Sequence, residues 1–336
     1  MKILPLARLV TMAVSLVLAA CGGGGGGGGG GSFADASSGT GDGSGGGIGG
    51  TGLTSSGTID AFGSIFVNGV EFETGQAEIL VDGQSAGENA LGLGMVVTVT
   101  GTIDAGGVTG TASRVVFDDE VQGPIEAIAP GQDGDSLLLT VLGVRVVVER
   151  TGTVFEGLGF DSLAVGDLVE VSGFAATDGS LRATRLERKD GSSGTAEVEL
   201  KGEVIGLAGN EFSLGQYRVD FSAADLSDIP GGTLSNGMRV EVRGTLQDSR
   251  ITAARIEQED SFTGSLDDGD EVSVQGVISN YTNATSVQVN GVAVDATAAS
   301  RQPAGLVLTN GQVVEAEGRW SGTVLRARTI EARRGR

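Results

Sequence analysis

The chain has 336 residues, with 22 basic and 43 acidic side chains, 60 glycines, one cysteine and no histidine. A formal net charge of −21 opposes binding to nucleic acid, so no nucleic-acid partner is expected. The lack of histidine removes the commonest general base and metal-ligating side chain. A single cysteine cannot form an internal disulfide, so the fold must be held by packing alone.

The first twenty residues have the features of an export signal. Lys2 and Arg8 precede a twelve-residue apolar stretch that ends at Ala20 and is too short to cross a bilayer core of about 30 Å as a helix. The sequence Leu-Ala-Ala-Cys that ends at Cys21 resembles the lipobox of bacterial lipoproteins. This resemblance implies a signal peptide over residues 1–20, cleavage between Ala20 and Cys21, and a lipid on Cys21 that attaches the chain to a membrane.

The residue after the cysteine indicates to which membrane the lipid attaches the chain. Gly22 stands where the sorting rule of enterobacteria-like lipoproteins reads aspartate as a retention signal for the inner membrane. Resemblance to that rule implies a cell-envelope protein of the outer membrane, facing the periplasm or the cell surface.

A glycine-rich segment follows. Ten consecutive glycines start at Gly22, and glycine, serine, threonine and alanine dominate as far as Ser56. Such a segment has too little apolar surface to offset the entropy lost on ordering. Residues 21–56 are therefore predicted to be the lipidated cysteine and a disordered tether.

Three short motifs recur in the same order along the rest of the chain. A glycine just before a β-branched residue comes first, G-x-x-V-x-V-x-G comes second, and A-x-x-[VIL] closes each copy. The leading glycines of the second motif are Gly94, Gly166, Gly237 and Gly311. Ordered motifs at a fixed period indicate repeated domains. The predicted repeats 1 to 4 cover residues 57–120, 121–190, 199–260 and 273–333.

The period within a repeat is that of a β-strand. In repeat 3, Val240 and Val242 alternate with Arg239, Glu241 and Arg243. This alternation predicts a strand with one buried face and one wet face.

Hairpins and bulges are also predicted. Asn68-Gly69 and Asn290-Gly291 each lie between alternating apolar runs, which is typical of a type I′ hairpin, and Gly143 and Gly215 occupy the same place in the other two copies. The glycine that ends each V-x-V-x-G motif predicts a β-bulge or bend.

These elements predict an all-β fold. Each repeat holds five to six short strands, and a sheet of this size with one apolar face is best closed so that no edge is exposed. We expect four tandem OB-like barrels after the tether. The alternative is one continuous β-solenoid.

The order of the motifs resembles the bacterial domain of unknown function 5666, over roughly residues 57–333. Repeat 1 is richer in glycine than the others, and Ala316 replaces a valine of the second motif in repeat 4. The resemblance implies no catalytic residues.

Carboxylates offer the only candidates for site chemistry, in the sequences Asp118-Asp119-Glu120 and Asp267-Asp268-Gly269-Asp270-Glu271, both between repeats. Oxygen ligands on a glycine-bearing loop can hold calcium, although the spacing differs from that of an EF-hand loop. Asp267, Asp268 and Asp270 are the metal candidates, and a solvated acidic linker is the alternative. No cofactor and no catalytic residue are predicted.

The sequence therefore predicts a non-enzymatic envelope lipoprotein that displays repeated β-domains for binding or scaffolding. Its expected partner is an envelope protein or a glycan, since repetition of a weak module raises its effective concentration. The alternatives are an accessory envelope enzyme and a calcium-dependent adhesion module that uses the acidic residues.

Overall fold

A computed structural model describes residues 51–131, 134–191, 196–259 and 262–333. The predicted signal peptide, Cys21 and the tether up to residue 50 lie outside the described residues. Strands and turns make up the described part, in which helical structure is limited to short 3₁₀ turns at Glu88–Ala90, Phe160–Ser162, Pro230–Gly232 and Phe262–Ser265. No described helix is long and apolar enough to cross a membrane.

Repeats 1 and 2 contain the first thirteen strands. Those of repeat 1 are β1 Thr51–Thr58, β2 Ile65–Val67, β3 Val70–Glu73, β4 Glu78–Val81, β5 Gln84–Ser85, β6 Val96–Ile103 and β7 Thr109–Phe117. Those of repeat 2 are β8 Val121–Pro130, β9 Ser136–Val141, β10 Val144–Glu149, β11 Val154–Glu156, β12 Leu168–Ala175 and β13 Leu181–Arg188.

Repeats 3 and 4 contain six strands each. Those of repeat 3 are β14 Ala196–Glu203, β15 Ile205–Ala208, β16 Glu211–Leu214, β17 Tyr217–Asp220, β18 Arg239–Gln247 and β19 Arg250–Gln258. Those of repeat 4 are β20 Glu271–Asn283, β21 Ser286–Val289, β22 Val292–Asp295, β23 Ser300–Gln302, β24 Val313–Ser321 and β25 Val324–Ala332.

Five strands of repeat 2 pair in a ring. β8 is antiparallel to β9 and to β12, β9 is antiparallel to β10, and β13 is antiparallel to β12 and parallel to β10. The corresponding strands of repeat 4 pair in the same way. Repeats 1 and 3 follow this order as well, with an isolated bridge from Ile59 to Val67 completing the ring of repeat 1.

The rings are joined to one another by strand pairing. β1 of repeat 1 runs parallel to β20 of repeat 4, and β8 of repeat 2 runs antiparallel to β14 of repeat 3. As a result the strands form two extended sheets, one of 13 strands from repeats 1 and 4 and one of 12 strands from repeats 2 and 3. Repeats 2 and 3 also share one continuous hydrophobic core.

The prediction of an all-β fold is confirmed, but the prediction of four discrete OB-like barrels is wrong. Strands of different repeats pair with one another, so the repeats are stacked in one continuous body, as the solenoid alternative required. Pairing between repeats satisfies strand edges that separate domains would leave exposed to solvent.

Three predicted boundaries also need correction. Residues 51–56, assigned to the tether, belong to β1, where Leu53 and Ser55 are buried and the strand is paired on both sides with β6 and β20. The strands that open repeats 3 and 4 begin earlier than predicted, at Ala196 and Glu271.

The predicted hairpins are confirmed. Asn68-Gly69 and Asn290-Gly291 have positive φ at both turn residues, and the flanking valines pair across each turn. Gly143 and Gly215 also have positive φ and lie in the tight turns that join β9 to β10 and β16 to β17.

The predicted bulges are confirmed in all four copies of the second motif. The register shifts at Gly101, Gly173, Gly244 and Gly318. A Cβ at Gly101 would lie 2.2 Å from the carbonyl oxygen of Thr111. A Cβ at any of the other three glycines would lie 2.0 to 2.4 Å from a carbonyl oxygen of the neighbouring strand. The repeated glycine is therefore required by the close approach of two backbones.

This gives a first test. Gly101→Ala should lower the free energy of unfolding by about 1–3 kcal/mol or more, because the added methyl group must push two strands apart. Gly75→Ala is the matched control in the same repeat, since a Cβ there meets no atom within 4 Å. Urea denaturation followed by circular dichroism measures both variants, and equal midpoints would contradict the steric role of Gly101.

Candidate functional site

A group of charged side chains is buried where repeats 1, 2 and 3 meet. It draws on the turn between β4 and β5, the link between β7 and β8, the strands β12, β14 and β18, and the residue that follows β13. This junction cluster consists of Asp82, Asp119, Glu170, Lys189, Glu199, Lys201, Glu241 and Arg243.

The polar face of β18 is part of this cluster, which corrects the prediction of a wet face. Glu241 is 7% exposed, and the side chain of Arg243 is 17% exposed. The register of β14 against β18 places Glu199 opposite Arg243 and Lys201 opposite Glu241. In the middle of this strand pair both faces are therefore covered, one by the apolar core and the other by repeats 1 and 2, whereas Arg239 at the start of β18 is exposed.

The guanidinium of Arg243 links two repeats. Its Nε lies 3.0 Å from Oε2 of Glu199, and its terminal nitrogen lies 2.9 Å from Oε1 of Glu241. The same terminal nitrogen lies 3.3 Å from Oδ1 of Asp82, on the turn of repeat 1. Hydrogen bonds between charged groups are stronger than neutral ones, so Arg243 holds this part of the junction together.

Two lysines hold the other side of the junction cluster. Lys201 donates a hydrogen bond from Nζ to the backbone carbonyl of Asp119, and its Nζ lies 3.7 Å from Oε2 of Glu241. Lys189 forms an ion pair with Glu170.

The carboxyl groups of Asp119 and Glu199 are the least compensated members. Asp119 is 1% exposed, and its Oδ1 has no hydrogen-bond partner among the described residues. Burial, reinforced by the nearby carboxylate of Glu170, raises the pKa of Asp119 well above its usual range. Burial, with Asp119 as the next cause, raises the pKa of Glu199 to about 12.

The ion pairs of Arg243 can be tested by mutation. Arg243→Met should lower the free energy of unfolding by about 3–5 kcal/mol, because it leaves buried carboxylates without a partner. Arg239→Met is the control on the same strand, since the exposed pair of Arg239 with Glu259 should contribute less than about 1 kcal/mol. Equal losses in urea denaturation would show that burial at the junction does not matter.

A cleft of about 390 Å³ lies between repeats 2 and 4. Its floor contains Phe174 of β12 and Val277 of β20, which are 2% and 6% exposed and pack together. Its rim is polar and includes Thr177, Arg182 and Asn280. We call this feature the inter-repeat cleft. An apolar floor with a few polar groups at the rim is typical of ligand-binding pockets.

Arg182 is held in position at this rim. One terminal nitrogen lies 2.7 Å from Oε2 of Glu149, and the other donates a hydrogen bond of 3.3 Å to the carbonyl of Gly311. The arginine therefore connects the two repeats and presents a fixed positive charge to the cleft.

The structure separates the carboxylates that were singled out in the sequence. Asp119 joins the junction cluster, whereas Asp118 is exposed. Asp267, Asp268 and Asp270 lie in the turn before β20, where Asp270 accepts a hydrogen bond from the backbone of Asp267 and Asp268 accepts one from the backbone of Gly322. These three residues act as turn formers, and Cys21 lies outside the described residues.

Several residues of the junction cluster were not identified from the sequence, and only Asp82 has a local sequence signal. Asp82-Gly83 is an Asp-Gly pair that follows Ile79-Leu80-Val81, which is a hairpin signal. Glu199, Glu241 and Arg243 have no such signal, because polar positions on an alternating strand look the same whether solvent or another repeat covers them.

Comparison with known proteins gives one family match. The family described as Domain of unknown function (DUF5666) matches three stretches of the chain, residues 122–187, 201–257 and 275–331. These correspond to repeats 2, 3 and 4. No curated protein matches the chain.

Proposed function

The chain belongs to the DUF5666 family, and from that membership and the structure we propose that it is a non-enzymatic binding scaffold of the cell envelope. Lipid on Cys21 holds it to the outer membrane, and residues 22–50 connect the anchor to the folded repeats. Its partner is an envelope protein or a glycan.

The inter-repeat cleft is the observation that carries this proposal. It is built by two repeats together, with an apolar floor, an anchored arginine and exposed amides at its rim. The chain contains no histidine, and the titratable side chains that line the cleft are Asp178 and Arg182. This combination suits recognition of a partially apolar ligand better than general acid–base chemistry.

We further infer that residues 57–120 are a diverged fourth copy of the family domain, outside the stretches that the family model matches. The ring order of strands and the bulge at Gly101 support this inference. On the same strand order, each copy is a small barrel-like ring of strands that is fused to its neighbours.

The anchor is tested by metabolic labelling. Labelled palmitate should enter the wild-type protein, and Cys21→Ala should abolish labelling and leave an uncleaved or soluble form, because the thiol accepts the lipid. Matched expression is checked by immunoblot. Labelling that survives the substitution would remove the anchor from the proposal.

The cleft is tested by filling it. Thr177→Trp places a large side chain at the exposed rim, and it should reduce the yield of a crosslinking pull-down from intact envelopes at least several-fold. Ser249→Trp is the matched control, because Ser249 is also exposed and lies in the corresponding hairpin loop of repeat 3. Equal yields from the two variants would exclude the cleft as the binding site.

A further inference from the structure

We propose that the carboxylates of Asp82, Asp119 and Glu199 form a binding site for one Ca²⁺ ion at the junction of repeats 1, 2 and 3. One oxygen atom from each of the three side chains lies within 4.8 Å of the other two. Oxygens at this spacing fit the coordination shell of Ca²⁺, which places its ligands at about 2.3–2.6 Å from the ion. The site is separate from the inter-repeat cleft and does not depend on the function proposed for it.

The unpartnered oxygen of Asp119 is an independent reason to expect a ligand. Asp119 is almost completely buried, and its Oδ1 accepts no hydrogen bond among the described residues. A buried carboxylate oxygen without a partner is costly, and proteins rarely retain one without compensation.

The backbone at Asp119 is anchored by two hydrogen bonds. Its carbonyl accepts a hydrogen bond from Lys201, and the amide of the next residue, Glu120, donates one of 2.9 Å to the carbonyl of Val171. The side chain that starts from this fixed backbone lies beside the carboxylates of Asp82 and Glu199.

The junction cluster has an excess of negative charge that a divalent cation can neutralise. Five carboxylates face three cationic side chains, which leaves two negative charges in excess when all of them are ionised. The carboxylates are Asp82, Asp119, Glu170, Glu199 and Glu241, and the cations are Lys189, Lys201 and Arg243. One Ca²⁺ ion neutralises this excess.

The site is also accessible to an ion. Asp82 and Glu199 line a surface cavity of about 310 Å³, together with Gln122, Glu170 and Arg243. Ca²⁺ takes 6–8 oxygen ligands, so water in this cavity would complete its shell. The alternative occupant is a proton shared between Asp119 and Glu199, which would make the junction insensitive to calcium.

Calcium titration of the full chain distinguishes these occupants. Protein stripped with EDTA is titrated with CaCl₂ by calorimetry, and thermal unfolding is recorded with and without about 1 mM CaCl₂. One calcium should bind per chain and raise the unfolding midpoint by a few degrees. Asp119→Asn should weaken binding roughly tenfold or more and remove the midpoint shift.

Two further variants keep the test decisive. Asp268→Asn alters an exposed turn acid and should leave calcium binding unchanged. If Asp119→Asn does not fold, Asp82→Asn on the half-buried turn of repeat 1 should show the same loss of binding. No calcium bound by the wild type at millimolar concentration, or binding that both Asp82→Asn and Asp119→Asn leave intact, would overturn the proposal.

Discussion

Pairing between repeats buries strand faces that a separate domain would leave in water, and the polar chemistry of this protein follows from that constraint. Buried charges are costly unless they are paired and hydrogen-bonded. Glu170, Glu241 and Glu315 occupy the same position of the second motif in repeats 2, 3 and 4, and they are 5%, 7% and 8% exposed. Each of them lies beside a cationic side chain: Lys189 for Glu170, Arg243 for Glu241 and Arg333 for Glu315.

The other junction, between repeats 1 and 4, satisfies the same constraint mainly with neutral groups. Asn68 donates hydrogen bonds of 3.0 Å to the hydroxyl groups of Ser55 and Ser273, and Ser273 donates one of 2.7 Å to Glu315. Glu315 in turn is paired with Arg333 of its own repeat. The excess of carboxylates is therefore particular to the junction of repeats 1, 2 and 3, and it is not a general consequence of stacking.

The fused arrangement changes the physical argument for repetition. Separate modules on a flexible chain gain affinity through effective concentration. In this protein the repeats share two sheets, so what repetition supplies is a set of surfaces between copies, of which the inter-repeat cleft is one. Loss of one repeat would expose strand edges and half of a core, so a single repeat cannot be treated as an independent binding unit.

Local backbone chemistry was predictable from the sequence, whereas contacts between repeats were not. The Asn-Gly turns of repeats 1 and 4, and the bulge glycines of all four copies, follow from the φ angles and close approaches that those positions require. The pairing of β1 with β20 has no local signal, because the composition of residues 51–56 matches that of the tether and the strand depends on partners on both sides. For the same reason the burial of Glu241 could not be inferred from an alternation that fixes only which residues share a face.

The two candidate sites are connected through one strand. β12 carries Glu170 toward the junction cluster and Phe174 into the floor of the inter-repeat cleft, with the bulge at Gly173 between them. The bulge redirects the strand, so that residues four positions apart face two different neighbouring repeats. β12 pairs with β13 along Val169–Ala175 and with β8 along Leu168–Val171. The junction cluster and the inter-repeat cleft therefore share the same segment of backbone.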